Sequence, residues 1–163
     1  MDELTAVAKV ADRLVGGMMQ HQDQANAMLF LGLHGFAGIH ERGFRDDSKS
    51  LRKVYRRSIE TYGRIPHQGD QRRGTTLDKL MPYESSELSA SDRYRTVVAL
   101  LGEWAEWERV TAETFESASE LLTGRMWRLV DRLQRGAEEE HVEARRLLAE
   151  VGACDMQHVY EMQ

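Results

Sequence analysis

The 163-residue chain fits one domain and can bury a sizeable core. Its 41% hydrophobic and 30% charged residues are ordinary for a soluble globular protein. The single cysteine, Cys154, excludes an intramolecular disulfide, and no stretch approaches the ~20 apolar residues that a membrane span requires. The opening MDELTAVAKV has neither a basic leader nor an apolar signal core, so a cytoplasmic protein is expected.

Four helical patterns follow in chain order. The first covers about residues 3–42, with Gly16-Gly17 as an expected bend or break. Met18, Ala25, Leu29, Gly32, Phe36 and Ile39 form one face, with His21, Gln22 and His40 on or beside it. Ala27, Phe30 and Leu31 occupy the opposite face, so the segment is apolar nearly all round and reads as buried twice. His21 and Asp23 read as polar rim residues, and His34 and His40 do not share a face. The second helix, about 47–63, starts on the cap residues Asp47-Ser48 and turns Leu51, Val54, Tyr55, Ser58 and Tyr62 inward. An irregular stretch from Gly63 to Leu88 carries Pro66, Pro82, Gly69 and Gly74. It is long enough to cross from one end of a bundle to the other.

The third helix, about 89–123, repeats Tyr94, Leu101, Phe115 and Leu122 every seven residues, and Glu108 takes the missing place in that series. The fourth, about 125–152, carries the stripe Met126, Val130, Leu133, Ala137, Ala144, Leu147 and Val151, with Gly152 as its stop. Glu140 and His141 straddle this stripe, Glu138 lies further round and Glu139 faces solvent. The tail from Cys154 to Gln163 can add a short helix. Trp104, Trp107 and Trp127 read as core or interface residues.

An acid on an apolar stripe is costly unless something neutralises it, and carboxylates with a histidine inside a bundle suit a metal ion. Glu108, Glu138, Glu140 and His141 are therefore the candidate ligands, for iron or another divalent metal. The competing reading pairs Glu140 with an arginine such as Arg109 and bonds His141 to Glu108.

Two hairpins joined by a long crossover, with Glu138-Glu-Glu-His141 on the last helix, resemble the ferritin-like family (ferritin, bacterioferritin, rubrerythrin). The resemblance covers nearly the whole chain at the level of layout, and implies an all-α antiparallel four-helix bundle in one domain, 1–163. It also implies a helix-three glutamate, matched by Glu108 or, less well faced, Glu106, and a Glu-x-x-His on helix four. Helix two has Glu60-Thr-Tyr-Gly63 where that motif is expected, and helix one has Gln24 to Met28 with no carboxylate. Two functions thus stand open. One is a metal-binding bundle with oxidative chemistry on dioxygen or peroxide; the other is a metal-free degenerate bundle acting as a dimeric scaffold or partner-binding module.

Charge is uneven across the net −5. Residues 42–73 hold ten Lys/Arg against four acids, and residues 103–163 hold fourteen acids against seven arginines. Solvated helix faces explain this, with complementarity between copies as the alternative. Nucleic acid is not an expected partner of an acidic chain with no aromatic-basic signature. A homodimer is expected through helix one, antiparallel near Gly35 and Gly38, to cover Ala27, Phe30 and Leu31.

Overall fold

Asp2 starts the first helix by accepting the Thr5 backbone N–H at 2.7 Å, the usual way to satisfy an orphan donor. The computed structural model describes residues 2–66, 79–80 and 83–163. Among these the chain is all-helical: α1 (Glu3–Phe30), α2 (His34–Tyr62), a 3₁₀ turn (Ser85–Glu87), α3 (Ala90–Ser119), α4 (Gly124–Gly152) and α5 (Met156–Met162). Gly69, Gly74 and Pro82 lie outside the described residues.

The expected first helix, 3–42, is instead divided at Leu31–Leu33, and α2 begins at His34 rather than near 47. Gly32 has φ 76°, a left-handed conformation that glycine adopts without steric cost. The Leu33 N–H reaches the Met28 carbonyl at 2.8 Å, and the Gly32 N–H reaches Leu29 at 2.9 Å. This is the Schellman stop, completed by burial of both Met28 and Leu33. Gly16-Gly17 lies within uninterrupted helix, so no break occurs there.

At the other helix ends, Gly63 closes α2 with φ 67°, Ser89 caps α3 by accepting the Asp92 N–H, and Asp155 caps α5. The expected helices 89–123 and 125–152 correspond to Ala90–Ser119 and Gly124–Gly152.

The turn at Gly32 folds α2 back along α1. Arg13 meets Thr111 and Gln24 meets Leu100, so α3 runs antiparallel to α1. His141 meets Ala105 and Tyr94 meets Val151, so α4 runs antiparallel to α3. Tyr62, at the end of α2, donates to Glu3 at the start of α1, whereas Ser85 donates to Phe30 at the far end of α1. The two ends of the link from α2 to α3 therefore lie at opposite ends of α1. α2 and α4 touch least among the neighbouring pairs of long helices.

The buried apolar residues separate into two clusters. One surrounds Val7, Val10, Leu14, Val54, Phe115, Met126 and Val130; the other surrounds Met28, Leu31, Phe36, Leu100, Trp104, Leu147 and Val151. Ala27 and Leu31, expected to need a partner chain, are fully buried within this one. α5 closes over that end, with the Tyr160 hydroxyl donating to the Leu31 carbonyl and the Gly35 N–H donating to Gln163. Phe30, the third residue of that face, stays partly exposed, so the apolar surface that motivated a homodimer is covered only in part. None of the described helices is long and apolar enough to cross a membrane.

Candidate metal centre

Between the two apolar clusters lies a polar layer to which all four long helices contribute. α1 supplies His21, α2 supplies His40 and Asp47, α3 supplies Glu108, and α4 supplies Glu140. The His21 and His40 rings are each 1% exposed and Glu108 is 5% exposed. His21 Nε2 stands 3.5 Å from Glu140, 3.8 Å from Glu108 and 3.9 Å from Asp47. It is buried and has no hydrogen-bond partner.

Paired glycines make this geometry possible. A Cβ on Gly43 of α2 would fall 2.5 Å from the His21 ring, and a Cβ on Gly17 of α1 would run into the Asp47 carboxylate. Each helix of the first hairpin thus carries a glycine beneath the partner's polar side chain. The helices approach closely there without displacing it.

The other ring nitrogen of His21 defines its tautomer. His21 Nδ1 and His40 Nδ1 are 3.1 Å apart, so one must donate and the other accept. Burial, and then the neighbouring His21, hold His40 down at about 3, which keeps it neutral at physiological pH. In the neutral tautomer whose Nδ1–H donates to His40, His21 turns its Nε2 lone pair toward the carboxylates, the form that a metal ion would require. A second group that fixes the ring this way is the usual support for a metal-bound histidine.

Burial is also the first cause of the shifts in the acids. Glu108 is raised well above the usual range by burial, then by the charges of Glu140 and Asp47, with Arg13 opposing. A hydrogen bond to Glu140 further favours its protonated form. Burial pushes Asp47 up to about 7 against the pull of His21, with Glu140 and Asp46 adding to the rise. Arg13, brought down to about 10 by burial, remains a cation; it donates to Thr111 and to the Trp107 carbonyl and stacks 3.6 Å over the Trp107 ring.

Of the residues singled out in the sequence, Glu108 and Glu140 come together, and the third member of their group is His21. One ligand atom from each lies within 4.8 Å of the others, so the group can hold a metal ion. Glu138 is exposed and accepts from Gln134 at 3.0 Å. His141 Nδ1 is 2.9 Å from the Ala105 carbonyl, the partner it has in place of Glu108. Arg109 pairs with Glu106 and Glu113 rather than Glu140. His21 is a core residue instead of a rim residue, and Trp127, expected in the core or at an interface, is 43% exposed.

A cavity of about 560 Å³ lies against the cluster along the loosely packed α2–α4 side. Gly43 and Gly136 line opposite walls, Glu108 and Glu140 line it near the cluster, and exposed Arg42, Arg132 and Glu139 also border it. No family model, curated protein or solved structure matches the chain.

Proposed function

We propose that this protein is a ferritin-like bundle that holds iron or manganese between its four long helices, with His21, Glu108 and Glu140 as ligands and Asp47 as a further carboxylate. The observation that carries the reading is the orphaned His21 Nε2, buried and set 3.5–3.9 Å from three carboxylates. Those separations are too long for good hydrogen bonds. They are close to the spacing of neighbouring ligands around one ion, since metal–N and metal–O bonds of about 2.0–2.2 Å place ligands about 3–3.5 Å apart. The imidazole and carboxylate donor set suits iron, manganese or zinc more than a soft-metal site.

The opposite placement of the link's two ends and the antiparallel hairpins further support the ferritin-like reading. A bound iron or manganese ion would supply electron transfer toward dioxygen or peroxide. This chain's own residues orient the His21 ring through His40, balance the carboxylates with Arg13, and leave a small reactant access along the α2–α4 cavity.

A metal-free scaffold is the second reading, and one observation favours it. The raised values of Glu108 and Asp47 let the cluster neutralise itself with protons at neutral pH. Elemental analysis of protein purified without added metal, followed by anaerobic titration with Fe(II) and Mn(II), separates the two. The metal reading expects close to one ion per chain and loss of binding in His21→Ala. Clean protein that takes up neither ion at micromolar concentration would leave the scaffold.

A further inference from the structure

The start of α4 carries a charge arrangement that works against the stability of its own helix. Arg125, Arg128, Arg132 and Arg135 follow at intervals of three or four residues, which stacks like charges along one face. Arg125 and Arg128 sit near the helix N-terminus, where a cation opposes the macrodipole. The first turn has no acidic residue, and the Thr123 side chain makes no capping hydrogen bond. Arg57 of α2 completes the arginine-lined wall of a cavity of about 630 Å³ that also includes Trp127 and one carboxylate, Asp131.

The available counter-charges are already committed. Asp131 pairs with Arg135, and Glu60 pairs with Arg57. Among the described residues no ion pair joins Arg125, Arg128 or Arg132 to a carboxylate. All three are exposed. The groove thus has three guanidinium groups without an ion pair among the described residues, of which Arg132 donates to the Arg128 carbonyl at 3.3 Å, and a half-exposed indole at a volume typical of small-molecule sites.

We propose that this groove binds a nucleoside polyphosphate, with the phosphates on Arg125, Arg128 and Arg132 and the base against Trp127. Guanidinium forks match phosphate oxygens bidentately, which a lone halide cannot exploit. Arg125 to Arg132 spans about 10 Å along the helix, at about 1.5 Å per residue, enough for more than one phosphoryl group. An exposed indole offers a stacking face to any base. The basic stripe is bounded along α4 by Glu138, Glu139 and Glu143, and the whole chain is net −5, which favours a compact anion over a long nucleic acid.

The test is isothermal titration at about 50 mM salt with excess chelator, so that it is independent of any metal in the core. The probes are ATP, inorganic tripolyphosphate and a fifteen-nucleotide oligo-dT. ATP is expected to bind below about 1 mM, and the pair Arg128→Glu with Arg132→Glu to weaken it at least ~10-fold. Trp127→Ala should weaken ATP about 5-fold or more while leaving tripolyphosphate unchanged. The arginine variant should melt close to the parent, because both positions are exposed; this separates lost binding from lost folding. No ATP binding at several millimolar, equal affinity in the arginine variant, or oligo-dT binding ~10-fold tighter than ATP would each overturn the assignment.

Discussion

The two hairpins meet at one polar layer but furnish it by different means. The α3–α4 hairpin contributes glutamates, Glu108 and Glu140, from positions on or beside its apolar stripes. The α1–α2 hairpin contributes His21, His40 and Asp47, and makes room for them with Gly17 and Gly43. Charge therefore comes mainly from one hairpin, whereas orientation and close approach come from the other. A buried cluster needs both, because charge without fixed geometry leaves polar groups unsatisfied.

The largest expected effect comes from breaking the close approach. In Gly43→Ala the new methyl meets three atoms of the His21 ring at 2.5–2.7 Å, and that ring is enclosed on all sides. Overpacking of this kind costs about 1–3 kcal/mol. It should also move Nε2 away from the carboxylates and abolish metal-dependent stabilisation. Gly17→Ala provides the contrast, since its obstacle is the free end of the Asp47 side chain. A helix gain of about 0.5–1 kcal/mol from alanine should offset part of that cost. Thermal unfolding of both variants, with and without Mn(II), checks the difference. Equal behaviour would show that His21 is no better anchored than Asp47.

Next in size are substitutions at Glu108, on the opposite hairpin. Glu108→Ala removes a buried partner of Glu140 and strands the neighbouring polar atoms, at about 1–3 kcal/mol. Glu108→Gln keeps the shape and mimics the protonated carboxyl, so the metal-free variant should stay within about 1 kcal/mol of the parent at pH 7. Both should lose stabilisation by added metal. A glutamine variant that still melts higher with Mn(II) would remove Glu108 from the ligand set.

The contrast between hairpins also explains what could be read in the sequence. In α3 the seven-residue series identifies Glu108 as inward by omission, and burial of Glu108 among Leu101, Phe115 and Leu122 follows the same spacing. In the first half the stop at Gly32 is embedded in Met28–Phe36, an apolar run that continues past the turn. Periodicity carried through it assigns one face to residues that belong to two helices. That error placed His21 at the rim and Asp47 at a helix start, whereas Asp47 lies well inside α2. The available signal was a lone glycine flanked by leucines, Leu31-Gly32-Leu33, whose buried contact completes the Schellman stop. Gly17 and Gly43 carried the other signal: they mark close helix approach rather than bends. The length of the stretch between α2 and α3 alone indicated that its ends lie at opposite ends of the bundle.

A smaller effect, dependent on pH, sharpens the comparison from the side of Asp47. Its folded value of about 7 lies above the ordinary 3.8 of an aspartate, so between these two the folded protein holds a proton that the unfolded chain releases. The metal-free protein should therefore be most stable below about pH 4 with respect to this group, and lose that contribution as pH rises through about 7. Asp47→Asn should flatten this part of the profile. Metal binding must displace the protons on Asp47 and Glu108, so affinity should rise across the same window. Urea unfolding at several pH values, repeated with Mn(II), checks both directions. A parent profile that rises from pH 5 to 7 without metal would refute the protonated cluster.

The smallest expected effect falls on Glu138, which shares a glutamate run with Glu140 but not its surroundings. Its carboxylate is exposed and accepts from Gln134 one turn earlier on the same helix. A single solvated contact of this kind contributes little, so Glu138→Gln should change stability by no more than about 0.5 kcal/mol. Glu140→Gln, two residues away, removes the carboxylate nearest to His21 Nε2. The two variants carry the same chemical change and differ only in the helix face they occupy. Titration with Mn(II) should therefore leave Glu138→Gln at parental affinity and weaken Glu140→Gln at least ~10-fold, since a lost charged ligand is worth about 1.4 kcal/mol or more. Equal losses would mean that net acidity along α4, rather than the geometry around His21, attracts the ion.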